Sequence, residues 1–347
     1  MFKSILFIII ALFIYSCDNG NPMNPDGETV DSSSWFFVAN EGNLGSTNGS
    51  VSMISDQGEV FTTDFLGQTV QSLEVYNDKL IVLINGSSEM KIFDITSEGL
   101  SMPGITIDLE GSSPREMVIV NDKVYFTNWN SQDIKIFNLF NYVLEDPIYV
   151  GSSLEGIIEK DGSLWVALNM ENTITWAPDS YVKQYDIATG SNISTHEVEL
   201  GPSSLKFMGE DLYVSHTYYN EAFVPTHAMT KLDDGLWSSY NYGSGVACGG
   251  SIVNINNQLY RTLSADQEDG GIVALNSDLS FDLDAKIGSY QQSYIYHVEI
   301  IDNYIWFAVT NNDDFNFVKQ ISFSGEELNS YEVGISPGDF AKWEASE

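Results

Sequence analysis

Ser336-Pro337-Gly338-Asp339-Phe340-Ala341-Lys342-Trp343, close to the C-terminus, repeats the pattern of Ser113-Pro114-Arg115-Glu116-Met117-Val118-Ile119-Val120. The second stretch opens an internal repeat, and the first repeat of the chain lacks such an opening strand. A chain whose first repeat is one strand short, and whose last segment supplies that strand, is built to close into a ring. Closure removes the free sheet edge, where unpaired N–H and C=O groups would recruit other chains.

The unit from Ser113 to Ser152 reads REMVIVND, KVYFTNWN, IKIFNL and DPIYVGS. Each piece is rich in apolar, β-branched or aromatic residues and ends in Asn, Asp or Gly, which is the strand–turn signature. Its second strand recurs as WFFVAN from Trp35, KLIVLIN from Lys79, LWVALN from Leu164, LYVSHT from Leu212, LYRTLS from Leu259 and IWFAVTN from Ile305. These copies lie about 40 to 48 residues apart, and self-similarity at such a period marks a repeat architecture. First strands precede them (SLEVYND, REMVIVND, LEGIIEKDG, SLKFMGED, SIVNINNQ, YHVEIIDN and GDFAKWE), and third strands such as MKIFDI and VKQYDI follow. Four strands in each of seven repeats predict an all-β, seven-bladed β-propeller of antiparallel strands, with GDFAKWE as the innermost strand of the first blade. Seven repeats in phase set aside a pair of β-sandwiches, and no stretch of residues 35–347 reads as a helix.

The N-terminus reads as an export signal. Lys3 is followed by an apolar run from Ile5 to Tyr15 and then by Ser16-Cys17. The run is short for a membrane span and suits a signal h-region. Ile14-Tyr15-Ser16-Cys17 resembles a bacterial lipobox, which implies cleavage before Cys17 and its lipidation. The expected organisation is a signal peptide at 1–17, a flexible tether at 18–34 and a propeller at 35–347. The tether is Pro-, Gly-, Asn-, Asp- and Ser-rich and has almost nothing to bury. Cys248 is the other cysteine, so no disulfide is expected in the mature chain, and a lone cysteine usually serves as a small buried hydrophobe. With 14 Lys+Arg against 49 Asp+Glu the formal charge is -35, which argues against nucleic acid or anionic lipid head groups as partners of the globular surface.

In a propeller the first strand lines the channel, and the loops joining strands two and three share one face. Here GSSE and NSQD are short, whereas EGNLGSTNGS after Asn40, MENTITWAPDSY after Asn169, TYYNEAFVPTH after His216, SADQEDGG after Leu263 and NNDDFN after Thr310 are long. Length and aromatics beyond structural need mark functional loops. Trp176, Tyr181, Tyr218, Tyr219 and Phe223 read as exposed-loop aromatics that offer rigid, flat contact area. Their alternative role is packing their own loops. Aligning the repeats places Gln71, Arg115, Glu155, Ser203, Gly250, Tyr296 and Gly338 at the channel mouth. Arg115 there either orients an acidic or amide group of a ligand or pairs with Glu155 across neighbouring blades. The ligand-binding candidates are thus Arg115, Glu155, Trp129, Trp176, Tyr181, Tyr218, Tyr219 and Tyr296. His196, His216, His227 and His297 lack the helical spacing of zinc motifs, so no metal site is expected. Asp266–Asp269 and Asp313–Asp314 are weak candidates for Ca2+, since neither follows the alternating oxygen pattern of a calcium loop. No G-x-S-x-G elbow, P-loop or dinucleotide fingerprint occurs, and the sequence offers no positive support for an enzyme.

WFFVANEGNLGSTNGSVSMIS (35–55), SPREMVIVNDKVYFTNWNSQDIKIFNL (113–139) and SPGDFAKWE (336–344) resemble the YncE-like, YVTN-type seven-bladed propeller lipoproteins of Bacteroidota and related bacteria. The resemblance spans the globular chain, with repeats four to six diverging. It implies a non-enzymatic binding protein of the cell envelope, anchored at the outer membrane and facing either the periplasm or the exterior. One branch of that group captures cobalamin at an outer-membrane corrinoid transporter. The expected function is therefore capture of a solute, a corrinoid being the first candidate, by a monomeric ring with no cofactor of its own. The alternatives are a protein–protein platform in an envelope complex and a hydrolase or lyase using channel carboxylates. A concave aromatic face would favour capture, and raised carboxylate pKa values would favour the enzyme.

Overall fold

The computed structural model describes residues 32–233, 235–245, 250–263, 270–290 and 293–345. The expected signal segment with Cys17, nearly all of the tether, Cys248 and the acidic run Asp266–Asp269 lie outside the described residues. Within them the chain forms seven antiparallel sheets and no helix.

Each sheet is one blade of a ring. Blade 1 contains Pro337–Glu344, Ser34–Asn40, Ser50–Ser55 and Val60–Thr62, from the innermost strand outwards. Blade 2 follows with Val70–Tyr76, Lys79–Ile84 and Glu89–Thr96, and blade 3 with Pro114–Val120, Lys123–Asn128 and Asp133–Asn138. The outermost strand of these two blades is split into two short pieces that both pair with the third strand. Blades 4 to 7 have inner strands Ser153–Lys160, Pro202–Met208, Ile252–Ile255 and Tyr294–Ile301, each followed by three more in sequence order. Adjacent first and second strands are joined by two-residue turns such as Asn121-Asp122, Asn256-Asn257 and Asp302-Asn303, with both residues at positive φ. Such turns match the twist of a hairpin, and Asn and Asp tolerate that conformation best. This is why the repeats end in Asn and Asp.

The core lies between blades. Seven apolar clusters correspond to the seven blade–blade interfaces. Side chains of a strand alternate between its two faces, so each second strand feeds two clusters. Leu80, Val82 and Ile84 pack towards blade 1, whereas Ile81 and Leu83 pack towards blade 3. This double burial explains why KLIVLI reads as a continuous apolar run instead of an alternating one. The outermost strands face water, as Glu327–Glu332 does.

Ring closure follows the predicted pairing. Trp35 lies opposite Trp343, and Val38 opposite Phe340. Trp343 donates its indole N–H to Asp78 Oδ1 at 2.9 Å, and the Leu73 amide donates to Asp339 Oδ2 at 2.8 Å. The terminal strand therefore grips blade 2 as well as its own blade. Truncating Trp343, which is 6 % exposed, to Ala should lower the unfolding free energy by about 3–5 kcal/mol. Urea denaturation checks this, and Leu44→Ala in an exposed loop of blade 1 should leave the midpoint unchanged.

Candidate functional site

All seven predicted mouth residues sit at one equivalent position. Each lies two residues before the inner-strand residue that faces the centre of the second strand, as in Leu73↔Val82, Met117↔Phe126, Ile157↔Val166 and Val298↔Phe307. Arg115 dominates this ring. Its Nε donates to Glu155 Oε2 at 3.0 Å, its Nη2 also bonds to that carboxylate, and its Nη1 donates to Gln71. Its guanidinium stands 4.1 Å from the centre of the Trp129 ring, and Trp129 Nε1 donates to Glu155 Oε2 at 2.7 Å. Burial opposes the charge on Arg115, but the Glu155 carboxylate more than offsets this and raises its pKa. Arg115 thus clamps blades 2, 3 and 4 together. The blade-to-blade salt bridge, one of the two readings open for Arg115 in the sequence, is the one seen. Tyr296 stands across the mouth, hydrogen-bonded to Glu41, which sequence reasoning did not single out.

Trp129 links this clamp to a hollow on the same face. The rings of Trp129 and Trp176 meet edge to face, with centroids 6.0 Å apart. Trp176, Pro178, Leu200, Tyr218, Tyr219 and Phe223 are the principal walls of a pocket of about 760 Å³ between blades 4 and 5. Its walls are largely unshielded: Trp176 is 54 % and Phe223 81 % exposed. Packing within their own loops therefore does not account for them. Both have positive φ, an uncommon conformation for bulky side chains. The loops hold them there through asparagines. Asn172 Oδ1 accepts from the amides of Ile174 and Thr175, and Asn220 Oδ1 accepts from those of Ala222 and Val224. Gly201 pins the two walls, donating to Asp179 O and accepting from the Thr217 amide. At its φ of +65° a Cβ would lie 2.6 Å from Thr217 O and 2.7 Å from Tyr218 Cβ, so no larger residue fits.

Two expectations need correction. Tyr218 and Tyr219 are not loop residues: the hairpin ladder continues through Tyr218↔Thr226 and Tyr219↔Pro225, leaving a turn of Asn220 to Val224. β-Branched and aromatic residues extend the strands there, which makes this wall a projecting ribbon. Tyr181 likewise lies within the strand Pro178–Asp186, opposite Leu168, and takes no part in lining the pocket. The pocket instead includes Phe223 and Leu200. A second hollow of about 740 Å³ lies at the outer edge of blades 3 and 4, with Lys123, Glu145, Tyr149 and Lys183 among its walls.

Below the mouth the channel is acidic. Glu116, His297 and Asp339 each directly follow a mouth residue, and Glu74 and Glu299 lie two residues further along their strands. Burial raises the pKa of Asp339 to about 7, with Glu74 adding to the rise. Burial and the Asp339 charge raise Glu116 and Glu299 well above the ordinary carboxylate range. Glu41 and Glu74 are also raised by burial. The repeat alignment that located Arg115 also places Glu116, His297 and Asp339 at one level. The signal was present, but it was read for a single register.

No protein-family model and no curated protein matches the chain. Solved structures do. A functionally unknown protein from Desulfotomaculum acetoxidans superposes with a TM-score of 0.61 at 11% identity, over 90% of this chain and 99% of that one. A hypothetical selenium-binding protein from Sulfolobus tokodaii gives 0.60 at 9% identity, over 89% and 95%. Apo AztD from Citrobacter koseri gives 0.54 at 10% identity, over 90% and 98%. At such identities the likeness is one of fold, that of a β-propeller.

The channel acids have a consequence for stability in metal-free buffer. Asp339, raised from 3.8 to about 7, holds a proton in the folded state that the unfolded chain has already released. That contribution is complete below about pH 4 and is lost as pH rises through 7. His297, lowered by burial to about 4, acts in the opposite sense as pH falls below its ordinary 6.5. The difference between wild type and Asp339→Asn isolates the acid. Thermal melts from pH 4 to 8 should show the wild type losing stability relative to the variant as pH rises, and parallel curves would contradict the assignment.

Proposed function

We propose that this protein captures a solute with a flat, largely apolar surface in the pocket between blades 4 and 5. The observation that carries this reading is the concave set of Trp176, Tyr218, Tyr219 and Phe223, in which Trp176 and Phe223 are exposed yet fixed by asparagine-pinned turns and the two tyrosines are held by the strand ladder. Rigid aromatics exact little entropy on binding, and a preformed apolar hollow with a few polar neighbours is the usual form of a small-molecule site. The ligand would rest on these rings, with Trp129 at the inner margin and the Arg115–Glu155 clamp supporting Trp129 from beneath. A corrinoid is the first candidate, on the strength of the sequence resemblance. In the same reading Cys17 carries a lipid anchor, residues 18–34 form the tether, and the propeller passes its ligand to an outer-membrane transporter. Concavity favours a solute over a flat protein platform. The raised carboxylates of the channel favour a second reading, a hydrolase or lyase in which Asp339 donates a proton near neutral pH.

A thermal-shift screen of the full chain against cobalamin, cobinamide, haem, siderophores and glycans tests the first reading. A ligand at about 100 times its Kd should add about 2.7 kcal/mol of stability. Trp176→Ala and Tyr218→Ala should each weaken binding of that ligand by more than about 1 kcal/mol while the unliganded melting temperature stays put. Equal affinity in both variants would sink the assigned pocket. Arg115→Ala should instead lower stability, because it leaves the Glu155 carboxylate without its partner.

A further inference from the structure

The inner strands of neighbouring blades bring three metal-ligating side chains to one point of the channel wall. His297 and Glu299 are two residues apart on the inner strand of blade 7, so the period of a strand turns both the same way. Asp339 reaches the same point from the adjacent closing strand of blade 1. One ligand atom of each lies within 4.8 Å of those of the other two. His297 Nε2 stands 3.7 Å from Asp339 Oδ1. Zinc–ligand bonds of about 2.0–2.2 Å place neighbouring ligand atoms roughly 3 to 4 Å apart, so the set needs at most about 1 Å of side-chain adjustment.

Two independent observations mark this cluster as more than a patch of acids. The Nε2 atom of His297 is buried and has no hydrogen-bond partner, an expensive arrangement for a polar atom inside a protein. The second is that Asp339 is pre-aimed. The Leu73 amide donates to its Oδ2 at 2.8 Å and the Phe340 amide to its Oδ1 at 3.0 Å. Outer contacts of this kind hold a ligating carboxylate in place. Glu74 and Glu116 bring further carboxyl groups close to Asp339, while Arg115 is committed to Glu155.

We propose that His297, Glu299 and Asp339 form a binding site for one divalent transition-metal ion. One imidazole with two carboxylates suits Zn2+, Mn2+ or Fe2+ better than Ca2+ or Mg2+, which take oxygen ligands. Three protein ligands leave a position open to the channel, the arrangement of an exchangeable or reactive metal and not of a closed structural one. The site does not depend on the aromatic pocket, and either can fail without the other. Helical spacing rules do not reveal it, because its ligands come from strand spacing and from the inner strands of two neighbouring blades, whose side chains meet only in the folded ring.

The test is equilibrium dialysis of the chelator-stripped full chain against ZnCl2, with NaCl and excess MgCl2 to occupy surface acids, followed by elemental analysis. One equivalent of Zn2+ should be retained, and Glu299→Gln and His297→Ala should each weaken its binding at least about tenfold. Melting curves verify that both variants fold, and Glu299→Gln, which preserves shape, decides the matter if His297→Ala does not. Retention of well under one equivalent, or unchanged affinity in the folded variants, overturns the proposal.

Discussion

The pairing of the terminal strand with Ser34–Asn40 is the contact on which the ring depends. Each blade buries its apolar faces against its two neighbours and has no other core. Two of the seven interfaces include side chains of that strand: Ala341 and Trp343 pack towards blade 2, and Phe340 towards blade 7. Without it the first blade would present a bare inner edge to the channel. The Leu73–Asp339 and Asp78–Trp343 hydrogen bonds then tie the last residues of the chain to its second blade. A chain of this size is held together by nearest-neighbour contacts arranged in a circle, and the circle is only as sound as its seam.

Above this frame lie two chemically distinct zones. The loop face is apolar and aromatic where blades 4 and 5 meet, and its exposed rings are set by turn chemistry. The channel below is polar, acidic and built from inner-strand residues. The Arg115–Glu155–Trp129 contacts join the two, since Trp129 touches both the clamp and Trp176. In a chain of net charge -35, placing one of few cations at the mouth and surrounding it with Glu155, Glu41 and Gln71 is a specific use of a scarce residue.

The ring was legible because its rules are local and repeated. The Asn/Asp turns, the apolar second strands and the match between Ser336–Trp343 and Ser113–Val120 each follow from short-range geometry, and seven copies reinforce one another. The mouth residues were legible for the same reason. The aromatic wall was legible in composition but not in form: TYYNEAFVPTH contains enough turn formers to read as a loop, yet ladder pairing carries Tyr218 and Tyr219 out as a ribbon. Tyr181 was misplaced because an aromatic near a loop looks the same whether it lines a hollow or stands on a strand. The His297–Glu299–Asp339 meeting was legible only in part: the repeat alignment sets His297 and Asp339 at one level of neighbouring inner strands, but the approach of their ligand atoms is decided by side-chain positions in the folded ring.

The path of the chain through blade 1 has a geometric consequence. The described chain enters at Ser34, at the end of its strand that pairs with Glu344, whereas Asn40 at the other end leads into the loop face. Entry is therefore on the side away from the loops. In a ring of seven, blades 4 and 5 stand diametrically across from blade 1. The aromatic hollow therefore lies on the opposite face and at the opposite rim from the point where the described chain begins.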